Sequence, residues 1–170
     1  MPVFDDLLNA NRSYQAGFEL AGLEATAAKG LAVLTCMDSR IEPLQMLGLR
    51  PGDAKILRNA GARVTDDVLR TLVLAVNLLG VDRIAVVAHT DCRMTKTTDD
   101  ALRDELRPRY PNTDLDKWDF LTVDDQPTVL RGDVERIVLC DLIPDEVVIG
   151  AFVYDVNSGE LRLVDERDAR

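Results

Sequence analysis

The chain has 170 residues, of which 46% are hydrophobic and 29% are charged, and its formal net charge at pH 7 is −10. This length and composition predict a single globular domain, residues 1–170, that is long enough to bury its own core. The negative charge disfavours nucleic acids and anionic membranes as partners.

The sequence also does not predict a membrane span, a signal peptide or disulfide bonds. No apolar run approaches the roughly 18 residues that a membrane span needs. The first six residues lack the basic region followed by an apolar region that typifies a signal peptide. Three scattered cysteines argue against a disulfide framework and fit a reducing compartment. We therefore expect a cytoplasmic protein without disulfide bonds.

The first 29 residues are predicted to form a helical arm with a broad apolar face. The stretch Asn9–Arg12 is expected to interrupt this arm and to divide it into two helices. So much apolar surface must be covered, and packing on the chain's own sheet is one way to cover it. The apolar residues of the arm are Phe4, Leu7, Leu8, Tyr14, Phe18, Leu20 and Leu23.

Short β-branched runs then alternate with helical patterns, which predicts a mostly parallel central sheet flanked by helices. Strands are predicted over 31–35, 55–58 and 83–88. Thr65 is a good N-cap for a helix that is predicted to end at Gly80. Asp66 and Asp67 in the first turn favour this helix start, because they interact well with the helix dipole. The polar stretch 95–126 is expected to hold short helices and loops.

The last third of the chain is predicted to complete the sheet with an antiparallel edge strand. Turn residues at Asn157–Gly159 separate two strand patterns, which is typical of a hairpin. The charged tail after Val164 is expected to be frayed. The predicted elements are a helix over 127–139, a strand over 146–154 and the edge strand over 160–164.

Two short motifs directly follow predicted strands: Cys36-Met-Asp38-Ser-Arg40 follows the first, and His89-Thr-Asp-Cys92 follows the third. Ligands of open α/β sheets are normally held at the carboxyl ends of the strands. Two thiols and an imidazole at one edge are ligands that Zn²⁺ prefers, and three protein ligands leave one position for water or substrate. The motifs predict a zinc site; the alternative is that these are ordinary buried side chains.

Two acidic residues of these motifs have open roles. Asp38 is able either to coordinate the metal or to accept a hydrogen bond from its water, and Arg40 is able to hold that carboxylate by paired hydrogen bonds. The alternative is an ordinary surface ion pair. Asp91 either accepts a hydrogen bond from a ligand or caps the following helix. Cys140 matches no motif and is left out of the site.

The motifs C-M-D-S-R and H-T-D-C resemble the zinc motifs of the β-class carbonic anhydrases, and most strongly those of the short, archaeal-type members. Each motif stands at a strand end, and the two are about fifty residues apart. The order and spacing of several motifs together make the resemblance specific. The further matching segments are Pro51–Lys55, Arg58–Gly61, Thr65–Val68, Val153–Asp155 and Ser158–Gly159.

The resemblance implies a zinc enzyme that interconverts CO₂ with bicarbonate and a proton by means of a zinc-bound hydroxide. It implies that Asp38 and Arg40 form a catalytic dyad, with Asp38 as a fourth zinc ligand in a closed state. It also implies a homodimer or larger homo-oligomer in which the N-terminal helices embrace a second subunit. The implied zinc ligands are Cys36, His89 and Cys92, and the implied lining of the substrate pocket is Met37, Ala60, Gly61 and Leu74.

One departure from the family pattern bears on activity. Arg93 stands where β-carbonic anhydrases nearly always have glycine, directly after the second zinc cysteine. Glycine permits backbone angles that a side chain opposes, so Arg93 could point outward, fill part of the pocket or place a positive charge near departing bicarbonate. Three functions are therefore open: CO₂ hydration, hydrolysis of carbonyl sulfide or carbon disulfide on the same fold, and zinc binding with little catalysis.

Overall fold

The structure, a computed structural model, describes residues 3–169. A five-stranded sheet with the strand order β2-β1-β3-β4-β5 forms its centre. The first four strands in this order are parallel, and β5 is antiparallel to β4. The strands are β1 Leu31–Cys36, β2 Ala54–Asn59, β3 Arg83–His89, β4 Val148–Tyr154 and β5 Leu161–Asp168; the helices are α1 Asp5–Ala16, α2 Pro43–Met46, α3 Asp66–Leu78, α4 Asp99–Leu106 and α5 Gln126–Val138.

The predicted α/β architecture with a mostly parallel sheet and an antiparallel edge is confirmed. The helix after Thr65 also begins as predicted, because the Thr65 hydroxyl accepts a hydrogen bond from the backbone N–H of Val68 at 3.4 Å. This helix ends at Leu78, and Gly80 follows with a φ of +70°. Such a left-handed residue is typical of the end of a helix.

Alternate side chains of the central strands face two different environments, as the pleat of a strand requires. On one face, Leu34 and Ile84 are buried among α3 and α5 in the main core. On the other face, Val33 and Val87 form a smaller cluster with Met46 from α2 and Leu47. That second face carries an open groove of about 370 Å³. One face of the sheet is thus fully covered, and the other is covered only in part.

The N-terminal arm differs from the prediction of two helices. A single helix, α1, runs through Asn9–Arg12, because asparagine in a helix interior costs far less than glycine or proline and Arg12 contacts the Asn9 side chain. None of the residues of this described helix is buried, so α1 does not pack on the chain's own sheet.

The end of the arm is not helical, although its composition favours a helix. Successive backbone N–H groups there bind distant loops: Ala27 donates to Leu79 at 2.8 Å, and Ala28 donates to Gly52 at 3.0 Å. Tertiary hydrogen bonds thus override the local helix propensity. These bonds tie the arm to the start of β1.

The charged tail belongs to β5 as far as Asp168, contrary to the expectation of fraying, and Arg170 lies outside the described residues. Pairing with β4 continues to Asp168, and the N–H of the buried Ala169 donates to the carbonyl of Val147 at 3.0 Å. Backbone pairing along the edge of an existing sheet stabilises residues whose side chains do not signal a strand. Within residues 3–169, no helix is sufficiently long and apolar to cross a bilayer.

Candidate metal centre

Neighbouring parallel strands deliver the three predicted ligands to one edge of the sheet. Cys36 is the last residue of β1, His89 is the last residue of β3, and Cys92 follows after one tight turn. The two thiol sulfurs are 4.0 Å apart. The ligand atoms of all three residues lie within 4.8 Å of one another, and all three residues are buried. The arrangement has the ligand types and the spacing of a zinc site.

The imidazole of His89 is oriented with one nitrogen toward this group. Its Nδ1 lies 2.8 Å from the carbonyl oxygen of Thr90 and therefore carries the hydrogen, because a carbonyl oxygen only accepts. Its Nε2 is the only buried side-chain nitrogen or oxygen without a hydrogen-bond partner among the residues that the structure describes. A buried polar atom without a partner is costly, and a bound metal ion would satisfy it.

The two thiols share a contact that shifts their pKa values in opposite directions. The hydrogen bond from Cys92 lowers the pKa of the Cys36 thiol, and the same pairing together with burial raises the pKa of Cys92. Although burial alone lowers the pKa of His89, the adjacent Cys36 thiolate raises it overall. A divalent cation would replace these protons, since two thiolates and a neutral imidazole cancel its charge. The donor set therefore fits Zn²⁺.

The carboxylate of Asp38 is held beside this group by Arg40. The guanidinium donates from Nε to Asp38 Oδ1 at 3.0 Å and from Nη2 to Oδ2 at 2.8 Å, and the backbone N–H of Arg40 also donates to Oδ1 at 2.9 Å. These hydrogen bonds hold the pKa of Asp38 far below its usual range. Asp38 Oδ2 is 4.0 Å from His89 Nε2. The carboxylate is thus ionised and turned toward Arg40.

Asp91 takes neither of the roles considered from the sequence. Its carboxylate accepts a hydrogen bond from Arg40 Nη1 at 2.8 Å and also contacts the Lys96 ammonium. These two cations lower its pKa to about 2, with the Lys96 contact as the larger cause. No sequence signal distinguishes this role, because Arg40 and Asp91 are 51 residues apart and meet only in the folded chain.

A narrow cavity adjoins His89 and Cys92 on the side of α5. Its volume of about 10 Å³ is close to that needed for one water molecule. Residues from the polar stretch and from α5 contribute to its wall, and the Gln126 side chain also donates to the carbonyl of His89 at 2.9 Å. The sequence motifs do not mark these residues. They include Thr95, Val123, Gln126, Val129, Leu130 and Asp133.

The structure places the four predicted pocket residues at different positions. Gly61 lines this cavity, and its N–H donates to Cys36 Sγ at 3.4 Å. Ala60 adjoins it in the same turn. Met37 stands next to Cys36 but is 66% exposed. Leu74 lies on α3 and lines surface grooves away from the three ligands.

Arg93 lies outside the metal group. Its side chain is exposed, and the residue begins a short 3₁₀ turn directly after Cys92. Among residues 3–169, the non-glycine residues with a positive φ are Ala62, Asp91 and Leu121, so the left-handed position of this loop falls on Asp91 and not on Arg93. The backbone at Arg93 therefore does not require glycine.

The comparisons with known proteins agree with this geometry. A sequence model of the carbonic anhydrase family matches residues 31–118. "Beta-carbonic anhydrase 1" of Mycobacterium tuberculosis is 36% identical, over 96% of this chain and 99% of the relative. A carbon disulfide hydrolase of Saccharolobus solfataricus is also 36% identical, over 81% of this chain and 78% of the relative.

Among solved structures, a carbonic anhydrase of Streptococcus mutans superposes with a TM-score of 0.91. Its sequence is 38% identical, and the match covers 97% of this chain and 99% of that one. Sequence and fold thus agree over almost the whole length. The chain belongs to the β-class carbonic anhydrase family.

Proposed function

We propose that this protein is a zinc enzyme that catalyses the reversible hydration of CO₂ to bicarbonate and a proton. One observation carries the proposal: the buried, unpartnered Nε2 of His89 faces two thiols, beside a carboxylate that is held by a guanidinium. The metal would be held by Cys36, His89 and Cys92. Bound Zn²⁺ supplies a Lewis acid that makes water a nucleophile near neutral pH.

The residues beside the ligands orient the reactants in this proposal. Asp38 stays ionised through its hydrogen bonds with Arg40 and accepts a hydrogen bond from the attacking water, which orients the water. CO₂ has no net dipole and suits an apolar wall. We propose that Ala60 and Gly61 contribute to that wall from the same subunit, whereas the exposed Met37 and Leu74 reach the pocket only in a dimer.

The dimer is supported by two apolar surfaces that lie open on a single chain. Helix α1 has no buried residue, and Leu7 and Leu8 on it are 60% and 57% exposed. The partly covered face of the sheet has a groove lined mostly by apolar residues, Leu31 and Phe152 among them, together with three charged residues. We propose that α1 of each subunit packs on a second copy, because large exposed apolar surfaces mark interaction sites.

The double variant Leu7→Glu, Leu8→Glu is expected to shift the protein from a dimer to a monomer, because charges on the apolar face of α1 oppose its burial. Light scattering after size exclusion measures the mass, which is 18.8 kDa for one chain. The matched control Ser13→Glu adds a charge to the opposite side of the same exposed helix and is expected to leave the dimer intact. A wild-type monomer, or a double variant that stays dimeric, would contradict this arrangement.

Hydrolysis of carbon disulfide is the second candidate, because a relative named for that activity has the same 36% identity as the mycobacterial carbonic anhydrase, although over a smaller share of this chain. Rates on CO₂, carbonyl sulfide and carbon disulfide should be measured on one zinc-loaded preparation, with sulfide release as the readout for the sulfur substrates. The proposal predicts that CO₂ has the highest kcat/KM. Faster turnover of either sulfur substrate would replace it by the second candidate.

The variant Arg93→Gly is expected to change kcat/KM for CO₂ by less than about threefold, because surface substitutions outside a site have small effects. This expectation rests on the exposed side chain of Arg93 and on its place outside the cavity wall. Stopped-flow hydration of both proteins at equal zinc content measures the ratio. A large gain in the variant would indicate an impaired site and favour the role of a zinc-binding protein with little catalysis.

A further inference from the structure

Four charged side chains form a continuous chain of ion pairs at the mouth of the site. Lys96 contacts one carboxylate oxygen of Asp91, and the other oxygen accepts a hydrogen bond from Arg40 Nη1 at 2.8 Å. Arg40 in turn binds Asp38 at 2.8 Å. Asp38 Oδ2 lies 4.0 Å from the unpartnered Nε2 of His89. The chain of charges therefore connects an exposed lysine to the edge of the metal group.

The backbone of Asp91 gives this residue two contacts with the same guanidinium. Its φ is +54°, which is left-handed and uncommon outside glycine and asparagine or aspartate. The carbonyl oxygen of Asp91 accepts a hydrogen bond from Arg40 Nη2 at 3.1 Å, in addition to the carboxylate contact. Because Asp91 stands between His89 and Cys92, these contacts tie Arg40 directly to the loop that carries two of the proposed ligands.

The donors of Arg40 are divided between the two carboxylates without direct competition. Nε and Nη2 donate to the two oxygens of Asp38, whereas Nη1 donates to Asp91 and is not used by Asp38. A guanidinium held on both edges is planar and fixed in orientation. Asp91 thus fixes the orientation of the guanidinium edge, Nε and Nη2, that donates to Asp38.

These contacts stabilise the fold only weakly. The side chains of Arg40, Asp91 and Lys96 are 44%, 43% and 52% exposed. Ion pairs with this exposure contribute little to stability because water and salt screen them. Asp38, at 17% exposure, is the member of the chain that faces the site. The main effect of these ion pairs is therefore to fix the position of the Asp38 carboxylate.

We propose that Asp91 is a positioning residue that acts through Arg40 and keeps the Asp38 carboxylate turned away from the Cys36–His89–Cys92 group. This inference rests on the proposed function, because it concerns access to the position that water or substrate takes beside the metal. Without the Asp91 side chain, Nη1 of Arg40 loses its partner, so the guanidinium holds Asp38 less firmly and the carboxylate moves toward the ligands. A carboxylate there would add a ligand to the metal and block the substrate.

The variant Asp91→Gly removes the carboxylate and tolerates the left-handed backbone, so the loop keeps its conformation. Zinc-loaded protein is mixed with a chelator, and the rate of zinc release is followed together with kcat/KM for CO₂. We expect kcat/KM to fall about tenfold and zinc release to slow by about threefold, in line with the roughly 10–100-fold effects of residues that orient metal-site groups. The conservative variant Asp91→Asn retains an acceptor for Arg40 and is expected to recover most of the difference.

The dependence on Asp38 separates positioning from a merely structural role. In an Asp38→Asn background, Asp91→Gly is expected to leave the rate of zinc release unchanged. The inference would be overturned if Asp91→Gly changed zinc release equally in that background, or if the single variant changed neither zinc release nor kcat/KM. It would also be overturned if Asp91→Asn were as strongly affected as Asp91→Gly. Wild-type protein that binds no zinc would instead defeat the proposed function.

Discussion

Replacement of Cys92 by serine is expected to remove zinc from the protein and to abolish CO₂ hydration. A serine hydroxyl is a poor zinc ligand. The substitution also removes the negative charge of the Cys92 thiolate, so that only one thiolate and one imidazole remain to bind a divalent cation. The decrease in metal affinity is expected to exceed the roughly 100-fold effect of changing a residue that only orients a ligand. Zinc per chain after dialysis and the hydration rate measure the two effects.

Cys140 provides the matched control, because it is the remaining cysteine of the chain and lies outside the metal group. The variant Cys140→Ser is expected to retain both zinc and activity, although a small loss of stability follows from its contact with the main core. If Cys92→Ser held as much zinc as Cys140→Ser, the three-residue metal group would not be the zinc site.

Replacement of Asp38 by asparagine is expected to lower kcat/KM by about 100-fold without loss of zinc, since misplacing a reactant by about 1 Å costs roughly that factor. The amide keeps the shape of the carboxylate but no longer pairs with Arg40 as an anion. The control Asp67→Asn breaks a similar pair, that of Asp67 with Arg70, at an exposed position away from the site. It is expected to leave the rate unchanged, and equal effects of the two variants would remove Asp38 from the mechanism.

The pH dependence of an Arg40→Gln variant shows whether Arg40 positions the Asp38 carboxylate or controls its protonation. Hydrogen bonds from the side chain and backbone of Arg40 lower the pKa of Asp38 from its ordinary 3.8. Because folding lowers this pKa, the pairing favours the folded state above about pH 4 and loses that effect as the pH falls. Because the ordinary pKa of an aspartate carboxyl group is about 4, Asp38 is expected to stay ionised at neutral pH even without the guanidinium.

It follows that Arg40→Gln is expected to lower hydration by a constant factor from about pH 6 to about pH 9, well above the ordinary pKa of a carboxyl group. The factor reports how well Asp38 is positioned. A ratio to wild type that changes steeply with pH in this range would indicate that Arg40 controls protonation.

The strand-end motifs predict the centre of the site because they depend on local sequence and simple topology. Cys36 and His89 each end a β-branched run, and adjacent parallel strands bring their ends to one edge. The alternation of strands and helices likewise predicts the order of elements. Predictions succeed here because burial and periodicity act within a few residues along the chain.

The features that the sequence does not reveal depend on distant partners. The ordered end of β5 exists because β4 offers a free edge. The contact of Arg40 with Asp91 and the place of Gln126 beside His89 require the loops of the polar stretch to fold back on the sheet. The continuous helix α1 shows the opposite error, in which a polar run was expected to break a helix that tolerates it.

The most direct measurement is stopped-flow hydration of CO₂ with a parallel zinc assay, at about pH 7 and about pH 8.5, on either side of the roughly neutral pKa of water on zinc. We expect one zinc per chain, rapid hydration and a higher rate at the upper pH. Protein purified without chelator or oxidant that contains no zinc, or fully loaded protein that fails to hydrate CO₂ at both pH values, would contradict the proposed function.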